Sequence, residues 1–114
     1  MRDQITIYYN SQHPDARTLL SYAASLDVPL LAYDLCSDPL TPMQLLNFAS
    51  RLNVPISDLV WKDKAQLLFS SEKELSVEDW ACILQKEPSL FRKPIAERKN
   101  RIALLESSSD ILNL

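Results

Sequence analysis

The sequence predicts an α/β fold, a small mixed sheet flanked by helices and assembled as βαβ, then helices, then ββα. Three observations carry this. Ile5-Thr6-Ile7-Tyr8-Tyr9 is β-branched and aromatic, and an amphipathic stretch separates it from a second apolar run, Leu30 to Leu35. Crossovers between parallel strands are right-handed in nearly all known cases, so these two runs are expected to be parallel neighbours. Residues from about 41 to 88 then carry helix-start signatures, and two short strand-like runs flank Arg98-Lys99-Asn100-Arg101.

Each element has a local reason. Residues 5–9 read as a strand buried on both faces if its neighbour is parallel. Pro14 suits a first helical turn, and Leu19, Leu20, Ala23, Ala24 and Leu26 form an apolar stripe that ends near Asp27. Thr41-Pro42-Met43-Gln44 combines an N-cap, a proline at the first helical position and the glutamine of a capping box. Leu45, Leu46, Ala49 and Leu52 follow at helical spacing, and Val54-Pro55 breaks the helix. Ile56 to Trp61 reads as a further short turn, and Lys62 to Lys73 as loop or short helix. Ser76-Val77-Glu78-Asp79 opens another capped helix, with Trp80, Ile83 and Leu84 toward the core and a stop before Pro88. Pro94 to Glu97 and Ile102 to Leu105 are expected to form a hairpin. Ser107 to Asp110 then caps a last short helix carrying Ile111, Leu112 and Leu114.

Composition narrows the function. The chain has 114 residues, with 46% apolar and 24% charged, which fits one globular domain over 1–114 with the helical stretch at about 41–88 as an insertion. Net charge is −3 and the pI about 5.0, and the longest basic cluster is the short, interrupted Arg98 to Arg101, which argues against direct nucleic-acid binding. No apolar run approaches the roughly 20 residues needed to span a bilayer, and no signal peptide is recognisable. Cys36 and Cys82 are far apart with no CxxC, so the expectation is a cytoplasmic protein with reduced thiols. Glycine is absent, which excludes Walker-type and Rossmann phosphate loops. Turns that need a positive φ are expected at Asn10, Asn53 or Asn100.

The segment Ile5-Thr6-Ile7-Tyr8-Tyr9-Asn10-Ser11-Gln12-His13-Pro14-Asp15-Ala16-Arg17 resembles, without a gap, the start of the ArsC-like arsenate reductase family. That family includes the Spx regulators and has a thioredoxin-type fold, which the resemblance implies for nearly the whole chain. Its strand is followed by Asn-Pro-x-Cys and, four residues after the cysteine, an arginine. Asn10 and Arg17 match, Ser11 stands at the proline and His13 at the cysteine. His13 is the sole histidine. A thiol at the start of a helix is activated by unpaired N–H groups and the positive end of the dipole, but a histidine has no sulfur with which to reduce a substrate.

The resemblance also places oxyanion-holding arginines at Trp61, Lys93 and Glu106, of which only Lys93 keeps a positive charge. Arginine's planar fork binds oxyanions bidentately, and lysine replaces it poorly. Pro94 in Phe91-Arg92-Lys93-Pro94-Ile95 matches the family's Arg-Pro-Ile and so resembles its cis-proline. The implied vestigial anion or partner site is Asn10, His13, Arg17, Trp61, Lys93 and Pro94, with no catalytic residue assigned. No metal is expected, since one histidine cannot supply three or four ligands, and no cofactor. Cys36 and Cys82 match no catalytic position of the family and read as small hydrophobes, with Cys36 the candidate for a displaced thiol. Asp58/Asp63 and Glu72/Glu74 read as solvated carboxylates.

The function expected from these readings is a degenerate, non-catalytic ArsC-like protein acting as a protein-binding or regulatory module, its partner another protein. Spx proteins set the family precedent by docking on RNA polymerase, although the Spx amino-terminal CxxC is missing here. The alternatives are a glutaredoxin- or thioredoxin-linked reductase using Cys36, and a sensor of anions or small ligands at the vestigial site.

Overall fold

A computed structural model describes residues 3–61 and 76–114. The polar stretch Lys62 to Lys73 and the carboxylates Asp63, Glu72 and Glu74 fall outside the described residues. The elements are β1 (Ile5–Tyr9), α1 (Ala16–Ser25), β2 (Leu30–Asp34), α2 (Pro42–Leu52), α3 (Val77–Lys86), β3 (Ile95–Arg98) and β4 (Arg101–Leu104). Short 3-10 turns lie at Ile56–Leu59, Pro88–Leu90 and Ser108–Asn113. The sheet order is β2-β1-β3-β4. β1 pairs parallel with β2, with Ile7 opposite Ala32, and antiparallel with β3, with Ile7 opposite Ala96.

The inner position of β1 follows from its side chains, because alternation along a strand sends successive residues to opposite faces. Ile5 and Ile7 are fully buried on one face with Leu19 and Ala23 of α1 and with Leu105 and Ile111. Tyr8 points to the other face, where its ring meets Phe48 of α2 at 4.9 Å and stacks on Tyr33 at 5.4 Å. That second layer is built by α2, α3 and the turns beside them, around Leu45, Leu59, Leu84, Leu90 and Phe91. Each such side chain contributes about 1.5–3 kcal/mol by leaving water.

The helix starts follow local chemistry. Gln44 N–H donates to Thr41 Oγ1 at 3.2 Å, and Thr41 N–H donates to Gln44 Oε1 at 2.9 Å. Ser76 and Asp79 exchange the same pair of bonds, both 3.1 Å, at the start of α3. Caps of this kind are worth about 1 kcal/mol each. α1 departs from expectation: it begins at Ala16, two residues after Pro14, and its N-cap Asp15 makes no side-chain capping bond. The delay arises from tight turns before it, His13 N–H donating to Asn10 O and Ala16 N–H to His13 O.

Positive φ occurs at Asn53 (58°), which ends α2, and at Lys99 (56°), but at neither Asn10 nor Asn100. Arg98 pairs with Arg101, so Lys99 and Asn100 form a two-residue hairpin loop. A positive φ at the first loop position alone is the pattern of a II′ turn, which suits the twist of the flanking strands. Ala24 and Cys82 are exposed, against the predicted stripes. On α3 the buried pair is Ala81 and Leu84, three apart, which turns Cys82 about 100° away from the core.

Ion pairs tie the periphery to the sheet. The Arg98 guanidinium grips Asp3 with both a 2.9 Å and a 2.5 Å bond, which holds the Asp3 carboxyl below the usual carboxylate range. Arg51 of α2 reaches Glu97 of β3 at 2.7 Å. Among the described residues no helix is long and apolar enough to cross a membrane.

Candidate functional site

At the carboxyl end of β1 the chain leaves the sheet and opens a cleft of about 460 Å³. Its walls come from Tyr9 and Asn10, from His13 and the start of α1, from Trp61, from Phe91 to Pro94, and from Leu105 to Ser108. Three of these segments meet there because β1, β3 and β4 are hydrogen-bonded neighbours, and Trp61 joins them through its N–H bond to Leu90 O. A crevice beyond the carboxyl end of a central strand is where α/β proteins place their sites.

Asn10 organises the floor. It is 5% exposed and is the buried polar side chain among the described residues. Its Nδ2 donates to Ser89 O at 2.9 Å and to Phe91 O at 3.3 Å, and its Oδ1 accepts from Gln12 N–H at 2.9 Å and from the Cys36 thiol at 3.2 Å. One amide thereby joins β1, the loop after β2 and the segment before β3, with donor and acceptor both satisfied.

His13 forms one wall. Its ring stacks on Trp61, with centroids 5.2 Å apart and planes 7° from parallel. Asp15 N–H donates to His13 Nδ1 at 3.1 Å, which leaves the Nε2 edge to donate. The imidazole is thus held both by its face and by one nitrogen. Elsewhere in the lining, Lys93 Nζ is paired with Glu106 Oε1. Arg92 and Asp15 add one charge of each sign, so among the described lining residues cations and carboxylates balance.

Of the sequence-predicted site, Asn10, His13, Trp61, Lys93 and Pro94 line this cleft, whereas Arg17 is exposed and is not among the lining residues. Arg17 follows the buried Ala16 on α1, and the turn of the helix carries it outward. The Lys93–Pro94 bond is trans, correcting the cis-proline expectation. Trans is the lower-energy isomer by about 0.5–1 kcal/mol, and in it Pro94 O accepts Leu105 N–H at 2.8 Å, extending the β3–β4 ladder. Cys36 does not line the cleft. Its thiol meets an amide oxygen, whereas an attacking thiolate is sustained by donors or positive charge. Among the described residues no group of three His, Cys, Asp or Glu side chains is arranged to hold a metal.

Sequence reasoning missed Arg92, whose buried Nε has no hydrogen-bond partner, and Asp34. Arg92 was visible only as the neighbour of Lys93. Asp34 Oδ1 accepts from Ser11 N–H at 3.3 Å and Cys36 N–H at 3.0 Å, and Oδ2 accepts from Ser37 Oγ at 3.2 Å. Burial pushes this carboxyl up, but the bonds from Cys36, Ser11 and Ser37 outweigh it and hold it below the usual carboxylate range. A lowered folded value stabilises the protein above the unfolded value, and that stability is lost as pH falls through the folded one. Urea midpoints measured from about pH 5 to pH 2 should therefore fall less steeply in Asp34→Asn than in the wild type.

The architecture is the thioredoxin-like α/β fold. A candidate arsenate reductase from Yersinia pestis superposes with a TM-score of 0.84 at 16% identity, covering 96% of this chain and 99% of its own. An arsenate reductase from Vibrio cholerae gives 0.81 at 13% identity, covering 99% and 98%. A possible arsenate reductase from Streptococcus mutans gives 0.75 at 15% identity, covering 99% and 100%. No protein-family model matches the chain, and no curated protein matches it. At these identities the likeness defines the fold.

Proposed function

We propose that this chain is an ArsC-like, cytoplasmic protein that keeps the arsenate reductase architecture without its chemistry and uses the cleft at the end of β1 as a protein-binding module. The observation that carries the reading is the stacking of His13 on Trp61 in a cleft with no sulfur among its described lining residues. An aromatic wall beside the half-buried Tyr9 and Pro94 supplies the rigid, partly apolar surface on which interface anchors act. The pairing of Lys93 with Glu106 weighs against the alternative of an anion sensor. The reductase alternative rests on Cys36, whose thiol donates to Asn10 and which is not among the described lining residues of the cleft.

The purified protein is expected to show no arsenate- or disulfide-reducing turnover with glutathione or thioredoxin above background, and Trp61→Ala should abolish recovery of a reproducible partner from the native host. Turnover that vanishes in Cys36→Ser would reverse the reading in favour of the reductase. A partner retained equally by Trp61→Ala and His13→Ala would move the docking surface elsewhere.

A further inference from the structure

β2 lies at an edge of the sheet, and its outer side carries an unusual pattern. Ile5 N–H donates to Pro29 O and Leu35 N–H donates to Tyr9 O, so the backbone groups directed at β1 belong to residues 29, 31, 33 and 35. By alternation, the amides of Leu30, Ala32 and Asp34 point away from the sheet. Asp34 O is taken by Ser37 N–H and Asp38 N–H, and no described residue bonds the others. Between them, Leu31 and Tyr33 are each 40% exposed on one face.

Sheet edges are ordinarily blunted by lysine, proline or charge. At the opposite edge, β4 opens with Arg101 beside the turn that carries Lys99, two cations at the end of that strand. The run Leu30-Leu31-Ala32-Tyr33-Asp34 has no such guard except the carboxylate at its end.

We propose that β2 is the contact edge of a two-fold symmetric homodimer, in which the β2 strands of two copies pair antiparallel about Ala32 into one continuous sheet. The register is self-consistent. Ala32 meets its own copy as a hydrogen-bonded pair exchanging both N–H···O bonds, and Asp34 N–H donates to Leu30 O of the second copy on each side. Leu31 then stands opposite Tyr33 as the closer, non-hydrogen-bonded pair, joining an aliphatic and an aromatic side chain on one face. Charge selects the same arrangement. Antiparallel pairing separates the two Asp34 carboxylates by about 13 Å along the edge, beyond the Debye length, whereas parallel pairing would set them side by side. The interface closes on itself, so it gives a dimer and not a filament.

Sedimentation equilibrium of the full chain from micromolar to millimolar concentration should show reversible dimerisation. Ala32→Pro removes an outward N–H without touching the β1–β2 ladder, and Leu31→Lys places a charge on the exposed face. Each should weaken the dimer about tenfold or more while circular dichroism and thermal midpoint show a folded chain. The amides of Ala32 and Asp34 should exchange more slowly as wild-type concentration rises. A wild type that stays monomeric throughout, or a dimer unaffected by both substitutions and without added protection at these amides, overturns the proposal. A monomer whose β2 amides become protected only on adding an extended peptide overturns it in favour of a heterologous strand. If Ala32→Pro does not fold, Leu31→Lys and the exchange data decide alone.

Discussion

Phe91→Ala is expected to lower the free energy of unfolding by about 3–5 kcal/mol, with the urea midpoint reduced and the slope unchanged. Phe91 is 2% exposed and packs in the layer of Leu59, Val60, Leu84, Leu90 and Ile95. Truncation removes the transfer energy of the ring and leaves a void that the neighbouring strand and helix are too constrained to fill. The backbone adds to that constraint, because Phe91 bridges Val60, Trp61 N–H donates to Leu90 O and Arg92 N–H donates to Leu59 O. Phe91→Leu, which retains much of the volume, should recover more than half of the loss. An alanine variant within about 1 kcal/mol of the wild type would show that the segment before β3 is not packed as described.

The second large effect is at Asn10. Asn10→Ala leaves Ser89 O, Phe91 O and Gln12 N–H without the partner that satisfies them, and each buried group left unpaired costs about 1–3 kcal/mol. A loss of about 2–4 kcal/mol is expected, allowing for water entering the space. Asn10→Asp separates hydrogen bonding from volume. A carboxylate there would face two carbonyl oxygens in a buried position, so its folded pKa is raised above the unfolded value of about 3.9. Such a group contributes stability that is fully present below the unfolded pKa and lost as pH rises through the folded one. The aspartate variant should approach the wild type in acid and fall away from it toward neutrality, opposite in slope to the behaviour assigned to Asp34. A pH-independent difference would mean that the Nδ2 bonds are not what Asn10 supplies.

These residues also show what a sequence can reveal about such a protein. Thr41 with Gln44 and Ser76 with Asp79 were legible because a capping box is satisfied within four residues, whatever the rest of the chain does. The parallel pairing of β1 with β2 was legible because one crossover handedness dominates. Helix phase was less so: Cys82 and Ala24 lie beside the apolar stripes, and a shift of one residue turns a side chain by about 100°. The exposure of Leu31, Ala32 and Tyr33 could not be read at all, since it depends on β3 pairing with β1 and not with β2. Convergence on the cleft was likewise hidden in the chain itself. Lys93 and Glu106 meet only because β3 and β4 fold back on each other, and the resemblance, not the local pattern, brought them together with His13 and Trp61.

Asn53 and Lys99, which bend with positive φ among the described residues, have a consequence for the denatured chain as well as the folded one. A glycine at either position would adopt that backbone freely, but it would also widen the unfolded ensemble and so raise the entropy lost on folding by about 0.5–1 kcal/mol. At a bend such as Lys99 the local steric cost of about 1–2 kcal/mol outweighs that saving, whereas the short polar side chain of Asn53 tolerates the left-handed region. The chain has no glycine, so everywhere else its unfolded form is also spared that extra freedom. Part of the protein's stability is therefore written in the stiffness of the disordered polymer, where no contact of the folded molecule records it.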